Sequence, residues 1–358
     1  MANNTLDWGF YTYRGLASVR VTDVGEEEVW TMIKESVRLY MDQVARIHAT
    51  TVFTTEKFKT NYKLPGSGTL QPLTENGVPL PTRQLGQFDV SYPMFHAGDA
   101  WGSNRVSRAL MTIEEANTAT LSMLRKDADW MLRHIFAAVF YSSEWTYVDE
   151  KHGSLTIKPL ANDDAVTYPK VGGSSSIDNH YLGQLADISD SANPFPTIRA
   201  ELTEHPSNTG EVVVYIPTNL QSDIEGLTNF VEVSNNLINV GIASDTVAAG
   251  VDTLRGWGDE VLGVVDKCIV VLARTLPDDY MLAHSLGAGP YVGQREFPSP
   301  SLKGLVLENN SVDGNLQETR VIRMCGHGVA NRVAAVAYYV GAASYTEPSD
   351  YDTIPLPV

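Results

Sequence analysis

Cysteine is scarce in this chain: Cys268 and Cys325 are the two among 358 residues. They lie in different stretches with no second pair beside them, so the disulfide framework that staples small secreted domains is excluded. No CxxC and no HExxH occurs, which removes the common zinc-site spacings. Positive charge is also short: 26 Lys and Arg stand against 43 Asp and Glu, for a formal net charge of −17. Affinity for nucleic-acid phosphates needs clustered Lys and Arg, so such binding is not the main business of the chain. A protein that must stand beside packed DNA without adhering suits this balance. Long apolar runs are missing too. VAAVAYYVGAA, from Val333 to Ala343, is the longest, and it falls well short of the roughly 20 residues of a membrane-spanning helix. The opening MANNTLDWGFYTYRG has no basic segment followed by an apolar one, so no signal peptide is expected.

What is present is a large apolar fraction, 43%, enough for one full core and more readily two at roughly 100–200 residues per domain. In EEEVWTMIKESVRLYMDQVARIH, residues 26–48, Val29, Ile33, Val37, Tyr40, Met41, Val44 and Ile47 recur at spacings of three and four, which predicts one amphipathic helix. In TVFTTEKFKTNYKL the period becomes two. Phe58, Thr60, Tyr62 and Leu64 fall on one side and Lys57, Lys59 and Lys63 on the other, as in a strand. QLGQFDVSY matches it with Phe88, Val90 and Tyr92 on one face, and PGSGTLQPLTENGVPLPT lies between. The pair predicts a long hairpin with an elaborate tip.

Thr112 followed by Glu115 predicts a capping box opening a helix that runs to about Phe140, roughly 42 Å long. Residues 150–215 look irregular, with the Gly/Ser stretch VGGSSSIDNH, before EVVVYIP gives a buried strand. VLGVVDKCIVVLART predicts further strands, and LPDDYMLAHSLGAGPYVGQREFPSPS a long connection. The end predicts a β meander: LKGLVLEN, a turn at NSVDGN, LQETRVIRMC, a turn at GHG, then NRVAAVAYYVG. Helices and strands come in blocks, so the expected class is α+β.

The chemical motifs are thin. Cys325 and His327, two apart in MCGHG, suggest a thiolate with its base. Strand residues so spaced have Cα atoms about 6.5–7 Å apart, so the pair is expected to be a strand end and a glycine turn. LGAGPYVG imitates a phosphate loop, but Pro290 removes an amide and no GK[ST] follows. Asp163–Asp164 and Asp278–Asp279 are neighbours in loops, where adjacent side chains point apart. No catalytic, cofactor or metal residues are expected.

The order of elements is informative: an amphipathic N-terminal arm, a long hairpin with a lysine face, a long capped helix, a mixed central region and a final meander. With LPDDYMLAHS, GLVLEN and ETRVIRMCGHGVANRVAAVAYYVGAASYTEP, this order resembles the major capsid proteins of tailed bacteriophages, the Hong Kong ninety-seven (Johnson) fold also seen in encapsulins. The resemblance implies an N-terminal arm at 1–50 and an extended E-loop at 51–100. It further implies a peripheral domain with the spine helix at 101–160 and 301–340, and an axial domain at 161–300 and 341–358. Its implied function is an icosahedral shell of hexamers and pentamers around double-stranded DNA in the virion, assembled in the bacterial cytoplasm. Scaffolding, portal and decoration proteins are the implied partners, and no membrane. An encapsulin-type compartment and a Cys-dependent hydrolase are the alternatives. Intersubunit contact is expected at Lys57, Lys59, Lys63, Phe58 and Tyr62, with Glu114 and Glu115 supplying acid. Some members of the family join subunits through an isopeptide bond from an E-loop lysine to an asparagine; Lys57, Lys59 or Lys63 could donate here, and the resemblance does not identify the asparagine or the assisting acid. The apolar side of the hairpin is expected to lie on a neighbouring subunit.

Overall fold

The computed structural model describes residues 19–64, 86–104, 110–232, 260–312 and 316–352, with positions 75, 77 and 356. The hairpin tip, the first 18 residues and the end of the NSVDGN turn lie outside the described residues. After a single helical turn, α1 (Val21–Val24), Gly25 with φ +112° lets the chain enter α2 (Glu26–His48). The stripe read from the sequence is the packed one: Val29, Ile33, Val37, Tyr40 and Val44 are buried. The long helix α3 (Ile113–Phe140) begins on the predicted capping box. Thr112 Oγ1 accepts from Glu115 N, and Glu115 Oε2 accepts from Thr112 N.

Two sheets are built around α3. The first holds β1 (Val52–Thr55), β15 (Val292–Glu296), β17 (Leu316–Val329) and β16 (Leu305–Val312) in that order, with β4 (Phe95–Asn104) also paired to β17. The second has the order β11 (Val231–Glu232), β12 (Glu260–Val265), β13 (Cys268–Leu272), β10 (Val212–Ile216), β14 (Tyr280–Ser285), β18 (Ala335–Val340) and β9 (Tyr181–Gln184). Parallel pairs β1–β15, β10–β13 and β9–β18 sit among antiparallel ones. Three two-stranded ribbons complete the described strands: β2 (Lys59–Leu64) with β3 (Gly86–Ser91), β5 (Trp145–Asp149) with β6 (Gly153–Ile157), and β7 (Asn162–Pro169) with β8 (Ser175–Asn179).

The seven-stranded sheet is covered on both faces, which explains why Val212–Ile216 is apolar and buried throughout. Val213 and Tyr215 face Ile135, Phe136, Val139 and Phe140 of α3. Val212, Val214 and Ile216 face Phe195, Ile198 and Leu202 of α4 (Phe195–Thr203) and Ile224 of α5 (Gln221–Glu225). Earlier turns of α3 serve the other sheet: Met123, Leu124 and Met131 pack with Val37, Tyr40 and Val44 of α2 and with Leu305 and Val321. One helix thus mounts both sheets.

Several expectations need correction. The lysine-bearing stretch is two strands, β1 and β2, broken at residues 56–58. The supposed irregular region 150–215 holds β6, the β7–β8 ribbon, β9 and α4, and the supposed long connection holds β14 and β15. The final meander is only a hairpin, β16–β17, because β18 leaves for the other sheet. GHG is no turn: β17 runs straight through it to Val329. Its glycines answer a crowding problem, since a Cβ on Gly326 would stand 2.3 Å from Pro93 O. β4 was not anticipated, because FHAGDAWGSN lacks the β-branched residues that mark strands.

Candidate functional site

Cys325 and His327 sit in the middle of a sheet, 1% and 3% exposed. Burial pushes the Cys325 thiol up to about 12 and drives the His327 pKa well below its ordinary range. The thiol thus stays protonated and the imidazole neutral. His327 Nε2 meets Gln294 Oε1 at 3.3 Å, on β15. Nothing in this geometry makes a nucleophile, and Cys268, buried and raised to about 11, is no better placed.

The hairpin β2–β3 has the predicted alternation. Tyr62 lies opposite Phe88 and Thr60 opposite Val90, while Lys59 and Lys63 lie opposite Ser91 and Gln87. Lys57, Lys59 and Lys63 are exposed. Lys59 Nζ already pairs with Asp89 at 2.5 Å, both ends being about half in water. Phe58 stacks on His152 with ring centroids 3.8 Å apart, and Tyr62 on Phe88 at 5.4 Å. The apolar side of the hairpin covers its own chain: Phe88, Val90 and Tyr92 bury themselves against Ala161, Tyr168, Ala330 and Val333. The expectation that this face rests on a neighbouring subunit is therefore wrong for the base of the hairpin. Glu114 and Glu115 are exposed on the first turn of α3, where the helix dipole favours acid, and Glu115 is engaged by the cap.

Three buried arginines lock these parts together, and sequence reasoning missed all of them. Arg323 on β17 gives Nε to Asp127 Oδ1 at 2.9 Å and Nη2 to Asp127 Oδ2 at 2.5 Å, while Tyr40 Oη donates to the same carboxylate at 2.6 Å. That triad ties α2, α3 and β17. Arg295 Nη1 donates to Tyr92 O and to Asp149 Oδ2, joining the hairpin base to β5. Burial works to raise the Asp149 pKa, but Arg295 and the amides of Lys151 and His152 outweigh it, and the net shift is downward. Arg332, fully buried, donates to Pro159 O, Leu160 O, Asn162 Oδ1 and Asp164 Oδ2. An arginine in an apolar stretch carried the signal, because a buried guanidinium must find several acceptors. A further buried group, Asp178, His180 and His205, converges beside α4.

No helix among the described residues is long and apolar enough to cross a membrane. No family model and no curated protein matches the chain. Among solved structures, one from Mycobacterium phage Patience aligns with 99% of this chain and 99% of its own, at 18% identity and a TM-score of 0.66. The bacteriophage PhiM1 mature capsid aligns with 82% of this chain and 86% of its own, at 10% identity and a TM-score of 0.48. The capsid of cyanophage P-SCSP1u gives 83% and 87%, at 12% identity and 0.49. With α3 carrying one sheet on its early turns and another on its last, this chain has an α+β fold that it shares end to end with the phage Patience chain.

Proposed function

We propose that this chain is a major capsid protein whose copies tile an icosahedral shell around double-stranded DNA in a phage virion. The observation that carries the reading is the end-to-end likeness to a phage chain, which leaves no large part of either fold unmatched. The net charge of −17 supports it, because DNA packed against such a shell is repelled and does not stick. Two buried thiols, both with raised pKa values, favour a structural role over catalysis.

Within this reading the N-terminal arm is 1–50 and the E-loop 51–100. The five-stranded sheet, to which the two ends of that loop lend β1 and β4, forms the peripheral domain with α3. The seven-stranded sheet forms the axial domain, so β15 belongs with the former and β18 with the latter. Lys57, Lys59 and Lys63 face an adjacent subunit, with half-buried Phe58 and Tyr62 beneath them and Glu114 and Glu115 as acceptors. Scaffolding and portal proteins act with the chain during assembly in the host cell. Sedimentation of Lys57→Glu/Lys59→Glu/Lys63→Glu tests the contact: the chain stays folded by circular dichroism while assembled species weaken. Assembly like wild type across a range of salt refutes it. The contents of purified particles, DNA or a cargo protein, separate a virion from an encapsulin-type compartment.

A further inference from the structure

Asp178 lies in β8, His180 just before β9, and His205 just beyond α4. Their exposures are 5%, 0% and 2%. His180 Nδ1 is 2.7 Å from Ala335 O, and His205 Nδ1 is 3.1 Å from Pro169 O. A carbonyl oxygen can only accept, so each neutral ring keeps its proton on Nδ1. Both Nε2 atoms then present bare lone pairs, and they face each other at 3.2 Å. Asp178 Oδ2 stands 2.8 Å from His205 Nε2 and 3.7 Å from His180 Nε2, and Glu201, whose pKa burial and Asp178 both raise, lies beside the same carboxylate. Its nearer cationic neighbour, Lys170 Nζ, is 3.9 Å away and engaged with Glu204 Oε1 at 2.5 Å. Three electron-pair donors therefore converge inside the protein, an arrangement that repels itself unless a cation sits among them.

We propose that Asp178, His180 and His205 form a structural binding site for a divalent transition-metal ion of the zinc class. Edges of 3.2, 2.8 and 3.7 Å define a circle of radius about 1.9 Å, so an ion roughly 2.0–2.2 Å from each donor sits just off their plane. That is one face of a tetrahedron. Glu204 Oε1, 3.8 Å from His205 Nε2, is within reach of the fourth position. Each histidine already makes the Nδ1–H to carbonyl bond that orients a metal ligand. Both imidazoles bind as neutral donors and the carboxylate as an anion, so no proton has to leave. The ion pins the end of α4 to the β8–β9 corner and, through Ala335, to β18. A proton on His205 Nε2 would answer Asp178 but leave His180 facing the same point.

The test is titration of the chelator-stripped full-length chain with Zn²⁺ by calorimetry and with Co²⁺ by visible absorption. One equivalent per chain, tetrahedral Co²⁺ bands without thiolate charge transfer, and a higher melting temperature are expected. His180→Gln and His205→Gln should each weaken binding at least about ten-fold, since even supporting residues of metal sites cost that much. Asp178→Asn, which keeps the shape, should do the same. Should these variants fail to fold, the wild-type titration still decides. Lack of saturable binding, thiolate bands, or unchanged affinity in folded variants overturns the assignment.

Discussion

Replacing Arg323 with methionine should be among the most damaging single changes in this protein. Arg323 and Asp127 are both about 5% exposed as side chains, and their two hydrogen bonds are joined by a third from Tyr40. With the guanidinium gone, Asp127 stays in the interior with one hydroxyl for company. Breaking a buried pair by removing one partner costs about 3–5 kcal/mol, because the other charge is left uncompensated. Removing all three polar groups is different. In Tyr40→Phe/Asp127→Leu/Arg323→Met no charge or hydroxyl is stranded, and apolar replacement of a buried pair is commonly neutral or better. The triple variant should lie within about 2 kcal/mol of wild type. Urea unfolding of the unassembled chain, followed by far-ultraviolet circular dichroism, measures both. Equal destabilisation of the single and triple variants, or a single-variant loss below about 1 kcal/mol, would refute the claim that the stranded carboxylate dominates.

His284 is buried between Tyr215 and Tyr291 with neither ring nitrogen hydrogen-bonded, and burial lowers its pKa from 6.5 to about 4. A base with a lowered folded pKa contributes stability above its unfolded pKa that is lost as pH falls toward the folded one, here about 3 kcal/mol in all. His284→Phe should therefore flatten the melting temperature between pH 7 and 4, and an unchanged slope would contradict this. Gly326→Ala forces a Cβ against Pro93 O and should cost about 3 kcal/mol or more in denaturant unfolding; a neutral result would mean that β17 and the Pro93 backbone do not lie as described. Cys325 should resist a thiol reagent in the native chain and react once unfolded, and Cys325→Ala should fold and assemble. Rapid native labelling would show that the sheet is open there.

The sequence was most legible where one physical signal acted alone. The stripe of α2 and the Thr112–Glu115 cap of α3 are local, and both elements lie where the pattern puts them. The alternation of Lys59, Tyr62 and Lys63 marks the two faces of the β2–β3 ribbon for the same reason. What failed was non-local. The strand YMLAHS is apolar on both faces because it is a central strand, and such a run has no period to read. Gly326 and Gly328 suggested a turn, but their smallness serves a backbone crossing by residues over 230 positions earlier, a contact with no signature in the local sequence. The same holds for the site beside α4. Asp178 and His180 stood in a stretch dominated by Gly and Ser, and His205 lies 25 residues on. No spacing rule joins them; the fold does.

The central claim is that copies of this chain assemble into a closed shell. Analytical ultracentrifugation with negative-stain electron microscopy of the purified chain, over a range of protein and salt concentration, tests it most directly. Capsomers of five and six copies, growing into shells of megadalton mass, are the predicted result. A monodisperse monomer or dimer under every condition, with scaffolding protein supplied as well as without it, would contradict the account.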